Sequence, residues 1–600
     1  MRIRFLFRYF VTWILIFVTQ KIVFMLFNMG LADGAPFWSC VASLWHGLRL
    51  DITTACYLSI LPTLVVLVNY FFKRFPLRRV LCPYYWLAAF VVAVIFIVDT
   101  VLYFFWRAKF DANDLIYAAK PKELFANLPV WASIAAVLVL GTLSFHYYRR
   151  QRHATPKTLE AVRSPLYALV VIPLAGLIFL GMRGGVTQST ANPSYAYFSP
   201  HSFCNHAALN PTFNVMHSLF KVQDLDKEFD KYSESELQSI LGDAYMPDNA
   251  ITDTLLSLER PNVLLIIWEG GGLGMVGSDS VAPNLHRLKQ EGLYFDRCFA
   301  NSFRTDRGLV STLSGWLGLP TLSLMKRTDL CRCLPSMASS LRDEGYSTSI
   351  TYGGDIDFTN MRLYFSETGF SHVRGSQHFP ASMHTSAWGV HDHHLLTPAL
   401  VPDERPFFST ALTLSSHEPW EVPMQRLEDP KLNSFAYTDS CIGALVDQLK
   451  ATPLWDSLLV VVIPDHGIVF GDHHYTLDTA VTHIPMLWLG GALARTGVVH
   501  KLMNQSDLAA TLMAQMGIDT KPFRFSRNVF SPSYDGRKSF AVHADKNCLT
   551  LIQPAHVGSF DCVSRQLNID NDEDRVFIEA LLQRLYQTTA SLPKEASVRD

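Results

Sequence analysis

The chain is poor in charge. Asp, Glu, Lys and Arg make up 17% of its 600 residues, and the formal net charge is only −2. A balance so near zero excludes the broadly basic surface that a nucleic-acid partner requires. Its 10 cysteines are compatible with an oxidising compartment but too sparse for a dense disulfide framework. There is no internal repeat and no low-complexity segment. No small-residue cleavage site follows the first apolar run, which excludes reading that run as a cleaved signal peptide. A length of 600 residues also excludes one ordinary core, so at least two domains are expected.

What the chain has in excess is apolar surface: 49% hydrophobic and 12% aromatic residues. The excess gathers near the N-terminus in five runs, 9–27, 52–72, 84–106, 128–148 and 164–182. Each is long enough, or nearly so, to cross about 30 Å of hydrocarbon. One such run could be a buried helix of a soluble protein, but five in succession with almost no internal charge point to a membrane. Lys21 is expected to snorkel toward an interface, and Asp99, in mid-span, to need a polar contact between helices. Arg2, Arg4 and Arg8, then Lys73, Arg74, Arg78 and Arg79, then Arg149, Arg150, Arg152, Lys157 and Arg163 occupy alternate loops. By the positive-inside rule these segments are cytoplasmic, which puts everything after Met182 outside the cytoplasmic (inner) membrane. Cys548 and Cys562 bracket a two-strand unit there and either form a bridge or remain free thiols.

Residues 183–250 read as a connector with amphipathic helices. In 207–221, Phe213, Met216, Leu219 and Phe220 suit either the membrane surface or a packed interface; 224–243 is charged and helical. From Arg260 onward short β-rich runs alternate with helical ones. Strands are expected at Asn262–Trp268, Ser347–Tyr352, 407–414 and 458–463. Helices are expected at 283–292, 335–344 and 435–450, with antiparallel strands in 537–563 and a closing helix at 573–588. Alternation of this kind gives an α/β domain with a mostly parallel sheet.

In such a sheet, groups at the carboxyl ends of strands meet in one crevice. Glu269 ends the first strand, and Asp465-His466-Gly467 follows the strand at 458–463. Thr305, in Arg304-Thr-Asp-Arg-Gly308, opens a helix, where free N–H groups favour a phosphate against its hydroxyl. A threonine hydroxyl needs a base or a metal to act as a nucleophile. Two carboxylates, an imidazole and that hydroxyl suit Mn²⁺ or Zn²⁺, and Mg²⁺ less well. His417 follows another strand, and His473, His474 and His483 lie soon after the Asp-His pair. Any of these could contact phosphate oxygens or protonate a leaving alkoxide. The cluster His391-Asp-His-His394 reads mostly as surface. Cys333-Leu-Pro-Ser-Met337 is a decoy: it nearly spells the formylglycine motif of type I sulfatases, with Met337 in place of the required arginine.

Several stretches, taken in order, resemble the membrane branch of the alkaline-phosphatase/sulfatase superfamily typified by lipoteichoic-acid synthase-like phosphoglycerol transferases. They are Ala208-Leu-Asn-Pro-Thr-Phe-Asn214, Pro283-Asn-Leu285, Gly292-Leu-Tyr-Phe295 and Ser302-Phe-Arg-Thr-Asp-Arg-Gly-Leu309. Tyr352-Gly-Gly-Asp355, Trp388-Gly-Val-His-Asp392 and Pro464-Asp-His-Gly467 complete the set. The resemblance implies a five-helix transmembrane domain (1–182), a connector (183–250) and an extracytoplasmic sulfatase-like catalytic domain (251–600). It implies one divalent metal held by Glu269, Thr305, Asp465 and His466, with Thr305 as nucleophile. Substrate contacts are expected from His417, Asp355, Arg304, His474 and Trp388. The implied activity moves glycerol phosphate from a phospholipid donor, phosphatidylglycerol, to a glycan or lipid-glycan acceptor. Phe358-Thr-Asn-Met-Arg362 departs from the family's glycerol pocket. A phosphoethanolamine transferase acting on envelope glycolipid is therefore the alternative, followed by a phosphodiesterase or hydrolase and by an inactive membrane scaffold.

Overall fold

A computed structural model describes the chain except for residues 1, 33, 69–73, 113–141, 143, 144, 154, 156, 158, 161–164, 220–223, 474–477, 535–538, 568–571 and 600. It divides into two compact units, Met1–Gln223 and Asp224–Asp600.

The first unit is helical. Its elements are α1 (Arg2–Phe27), α2 (Phe37–His46), α3 (Leu48–Leu58), α4 (Ile60–Val68), α5 (Leu77–Trp106), α6 (Pro165–Arg183), α7 (Ser202–Ala208) and α8 (Pro211–Ser218). Three stretches, Arg4–Phe27, Phe37–Val68 and Leu77–Phe104, are long and apolar enough to cross a membrane. The fifth expected span falls on α6, whose described apolar stretch, Ile172–Arg183, is shorter. The fourth, 128–148, lies outside the described residues save for its end.

The second span starts earlier than its hydropathy indicates, because Arg49 and Asp51 interrupt the apolar pattern. Asp51 is neutralised in place. Lys21 does not snorkel: its ammonium lies 2.6 Å from Asp51, and the two side chains are 3% and 0% exposed. Asn210 completes the group, donating to Asp51 at 2.9 Å while its own oxygen caps α8 at the Phe213 N–H. Asp99 is likewise buried, paired with Lys109 and accepting from the Phe110 N–H at 3.0 Å. Residues 207–218 therefore pack into the helical unit rather than lying flat on a surface: Phe213 is buried and Asn214 donates to the Phe110 carbonyl at 2.9 Å, while Leu219 is exposed and Phe220 lies outside the described residues.

The second unit is built on a nine-stranded sheet. Its strands are β1 (Asn262–Trp268), β2 (Leu293–Phe299), β3 (Ser347–Tyr352), β4 (His372–Arg374), β5 (Phe407–Leu412), β6 (Leu458–Pro464), β7 (His483–Leu489), β8 (Gly497–Val499) and β9 (Met503–Asn504). The order is β8-β2-β7-β6-β1-β5-β3-β4, with β9 also on β2. All pairs are parallel except those of β7, which runs antiparallel to both β2 and β6. β1 and β6 read as unbroken apolar runs because every residue in each is buried, as strands covered on both faces must be. Leu264, Ile266, Val460 and Val462 share a core with Phe435, Ile442, Leu445 and Leu449 of the helix Pro430–Lys450. That helix starts earlier than expected because Asp429 accepts from the Lys431 and Leu432 N–H groups and Pro430 fits the first turn.

A smaller antiparallel sheet follows: β10 (Ala541–Asp545), β11 (Cys548–Ile552), β12 (Val557–Asp561) and β13 (Gln566–Leu567). Its register sets Cys548 opposite Asp561 and not Cys562, and both thiols are free. The closing helix runs Asp572–Arg599, and Gln583 on it accepts from the Lys231 and Tyr232 N–H groups at 2.9 and 2.8 Å. The connector is thus divided: α7 and α8 belong to the helical unit, and residues from Asp224 onward to the sheet unit.

Asp51→Ala would leave the Lys21 ammonium buried without its partner. The expected cost is about 3–5 kcal/mol, much of it recovered in a Lys21→Met/Asp51→Ala double variant. Thermal unfolding of the detergent-solubilised full chain measures both, and equal losses in the single and double variants would refute the account.

Candidate active site

β1 and β6 are paired in parallel with Trp268 opposite Pro464, so the residues that follow them, Glu269 and Asp465, are forced side by side at one sheet edge. Both carboxylates are buried, as is His466. One Asp465 oxygen accepts from the Gly270 and His466 N–H groups, each at 2.9 Å. The other, Oδ2, is buried with no hydrogen-bond partner among the described residues. His466 Nδ1 faces the Gly467 carbonyl at 2.9 Å, so in the neutral ring the proton sits on Nδ1 and Nε2 turns its lone pair inward. His466 Nε2 then stands 3.3 Å from Glu269 Oε1 and 3.5 Å from Asp465 Oδ2. Glu269, Asp465 and His466 each offer one atom, all within 4.8 Å of one another. An orphaned carboxylate oxygen facing an imidazole nitrogen fits a cation bound between them.

The fourth group arrives on a helix. Thr305 is the first residue of the helix Thr305–Ser314, and its hydroxyl donates to Glu269 Oε2 at 3.1 Å. Gly308 makes this approach possible. A Cβ there would stand 2.0 Å from the Asp465 carbonyl oxygen, so the first helical turn lies directly on the end of β6. Gln505 holds that strand end from another side, donating to the Pro464 and Asp465 carbonyls at 2.8 Å each. Thr413 and Ser416 fix Glu269: the Thr413 hydroxyl accepts from its N–H at 2.9 Å, and the Ser416 hydroxyl donates to its carbonyl at 2.6 Å. Gln505, Thr413 and Ser416 carry no sequence signal of their own, although Thr413-Leu-Ser-Ser-His417 is polar for a strand end.

The charges account for the ionisation. Burial pushes the Glu269 carboxyl up, but the His466 hydrogen bond and charge outweigh it and leave the group below its ordinary pKa. Burial, with the Glu269 charge added, raises Asp465. Burial disfavours the His466 cation, yet the neighbouring Asp465 and Glu269 charges raise its pKa to about 10. Without a metal, the imidazolium is the positive charge that lets two buried carboxylates share the site.

The walls come from two loops in contact. Gly389, at φ +144°, carries no Cβ that would meet the Gly353 carbonyl at 2.3 Å, and Val390 N–H donates to that carbonyl at 2.9 Å. Tyr352-Gly-Gly-Asp355 and Trp388-Gly-Val390 thus lie backbone to backbone. Trp388 meets His417 edge-on at 4.6 Å and Phe358 at 5.9 Å, so Trp388 and His417 share a wall. His417 lies close enough to Glu269 to act on its ionisation. Asp355 accepts from the Asp357 N–H at 3.1 Å, and Asp357 is ion-paired with Arg362 at 2.6 Å. Arg304 is exposed, its guanidinium 5.8 Å from the Phe303 ring centre.

Other expected groups lie elsewhere. His483 is withdrawn into the sheet: its Nε2 bonds to the Asp296 carbonyl at 2.7 Å, its ring stacks on Phe299, and burial lowers its pKa. His473 is half exposed and paired with Asp478 at 2.6 Å. His474 lies outside the described residues. His391 is not on the surface: it is 4% exposed, with its ring beside Tyr437. Cys333 sits away from the metal-type group, on the Asp329 carbonyl at 3.5 Å.

The mostly parallel sheet carries its acid–imidazole–hydroxyl group at the carboxyl ends of its strands. A solved protein of the alkaline phosphatase superfamily from Vibrio parahaemolyticus has the same fold, with a TM-score of 0.52 at 23% identity over 62% of this chain and 99% of that one. Residues 261–518 match the sulfatase family model. Phosphoglycerol transferase I of Xanthomonas campestris pv. campestris is 27% identical over 293 residues, 44% of this chain and 41% of that protein. Lipoteichoic acid synthase 2 of Bacillus subtilis is 22% identical over 284 residues, 42% and 43% of the two chains. The chain therefore spans about two fifths of the length of these curated relatives.

Gly308→Ala is expected to drive the Thr305 turn off the β6 end, with a stability loss of about 1–3 kcal/mol and weaker metal retention. Melting temperature and metal content, measured together on the full chain, check this. Both at native values would show that the helix does not depend on the close contact.

Proposed function

We propose that the protein is a membrane-bound phosphoglycerol transferase that works through a covalent phosphothreonine. The observation that carries this reading is the Thr305 hydroxyl at a helix start, hydrogen-bonded to Glu269 beside Asp465 and His466. The relatives named phosphoglycerol transferase and lipoteichoic acid synthase support the transferred group. Glu269, Asp465, His466 and Thr305 would hold one divalent ion, with Mn²⁺ or Zn²⁺ the best match to their donors. When bound, the ion lowers the proton affinity of the hydroxyl and offsets negative charge at phosphorus.

Thr305 Oγ1 attacks the phosphorus of phosphatidylglycerol and Glu269 is placed to take its proton. The P–O bond to diacylglycerol breaks, and His417, on the wall with Trp388, is assigned to protonate that leaving oxygen. The hydroxyl of a glycan or lipid-glycan acceptor then takes the glycerol phosphate from Thr305 and regenerates the hydroxyl. The free N–H groups of the helix start favour the phosphate during both steps. Trp388 and Asp355 line the head-group side. With Asp357 already neutralised by Arg362, that loop offers less carboxylate charge to an ethanolamine ammonium than its sequence suggests. This favours the neutral glycerol over phosphoethanolamine. The reading includes five spans and the sheet unit outside the inner membrane, supported by the alternation of basic loops.

Incubating the full chain with phosphatidylglycerol or phosphatidylethanolamine separately, with mass spectrometry of the Thr305 peptide, tests donor and nucleophile together. A glycerol phosphate adduct with diacylglycerol release is expected only from the first lipid; release from phosphatidylethanolamine alone would refute the glycerol assignment. Thr305→Ala is expected to lower turnover by several orders of magnitude, about 5 kcal/mol or more in barrier, with unchanged stability.

Metal binding carries a proton signature. His466 must be neutral to ligate, and its metal-free pKa of about 10 keeps it protonated at ordinary pH. Loading Mn²⁺ at about pH 8 is therefore expected to release about one proton, with more released at lower pH as Asp465 also protonates. Calorimetry in buffers of different ionisation enthalpy reads this number. Affinity should fall as pH falls; affinity independent of pH would contradict the assigned ligands.

A further inference from the structure

The N-terminal helical unit contains a second concave site that the transfer chemistry does not use. A cavity of about 980 Å³ is walled by Arg78, Arg79, Arg152 and Lys157, with Trp86, Tyr148 and Cys82 between them. Among the described residues no carboxylate lines it. The Arg78 guanidinium is fixed by the protein, donating from Nε and Nη2 to the Thr155 carbonyl at 3.1 and 2.7 Å. Arg79, Arg152 and Lys157 are exposed at the cavity wall. Four cations facing one space repel one another, and the apolar helix beside them screens that repulsion less than bulk water does. An anion there reverses the sign of the interaction.

The position narrows the anion. Trp86 lies on α5 and stacks on Phe90 at 5.5 Å, and both side chains are exposed on the helix surface. An exposed tryptophan, with the half-buried Tyr148, beside arginines at the start of an apolar span marks the head-group level of a membrane. The cavity lies at the end of the bundle that carries the N-terminus, since Tyr9 of α1 packs on Tyr85 of α5 at 5.2 Å. We propose that this cavity binds the phosphate of an anionic phospholipid head group in the leaflet on the N-terminal side. The cations would hold the phosphate, with Trp86 and Tyr148 at the glycerol level. The inference follows from the helical unit alone.

The test uses the full chain in detergent, stripped of lipid and then offered phosphatidylglycerol, phosphatidylcholine or free glycerol phosphate before native mass spectrometry. Replacing the exposed Arg79, Arg152 and Lys157 together by Gln leaves the structural bond from Arg78 intact. The native chain is expected to retain at least one phosphatidylglycerol more than the triple variant. At that site the variant's affinity is expected to fall about tenfold or more, and retention by the native chain to weaken as salt rises. An Arg79→Lys/Arg152→Lys variant should keep the lipid, which separates lost charge from lost fold. Equal retention of phosphatidylglycerol by native and triple-Gln chains, or equal retention of phosphatidylcholine and phosphatidylglycerol at this site, overturns the proposal. Displacement of the lipid by millimolar glycerol phosphate would assign the cavity to a soluble phosphate and overturn the lipid assignment.

Discussion

Two carboxylates are held out of water at the ends of two hydrogen-bonded strands, and most of the sheet unit is arranged around that fact. Parallel pairing of β1 with β6 leaves Glu269 and Asp465 no room to separate. Their mutual repulsion in a buried setting must be met by positive charge and by donors. The Gly270 and His466 N–H groups, the His466 ring and the Thr305 hydroxyl supply what the protein can. Asp465 Oδ2, still without a hydrogen bond among the described residues, is where a cation has most to gain. Gly308 and Gln505 keep the end of β6 and the start of the Thr305 helix at fixed distance.

The floor of this site was legible in the chain because it obeys local rules. Apolar runs with a carboxylate or Asp-His at their ends, and a threonine opening a helix, place those groups by strand direction alone. The walls and the decoys were less legible, since register and burial are decided by residues far away in sequence. His483 looks like a site residue by proximity, yet it starts an antiparallel strand inside a parallel sheet and its ring turns to Phe299. His391 sits in a polar string that reads as surface, and Tyr437 on a distant helix covers it. Lys21 has no local sign that its partner is Asp51, thirty residues on.

The stretch Ala208–Asn214 shows how family likeness and function can part. It carries part of the family resemblance, but its Asn210 and Asn214 serve the helical unit. One satisfies Asp51 and caps a helix; the other holds the Phe110 carbonyl. Buried ion pairs among apolar helices are costly to leave incomplete. A polar loop that closes them therefore has an architectural role.

Strain is distributed in a way that separates chemistry from selectivity. Glu269, Thr305, Asp465 and His466 sit on strand ends and a helix start in ordinary backbone geometry. The non-glycine residues forced into the left-handed region include Thr359 and Asn360, beside the Asp355–Arg362 loop, and Trp420, just after His417. For a β-branched residue such as Thr359 this conformation is costly, and it persists only where surrounding contacts impose it. Asn360 supplies part of that, reaching the Met325 carbonyl at 3.2 Å while its own oxygen stays buried. A rigid, unstrained floor suits a reaction whose geometry must not vary. Under the proposed reading, the strained loops above that floor, 355–362 and 417–420, are the segments able to change head-group selectivity without disturbing the acid–imidazole group beneath them.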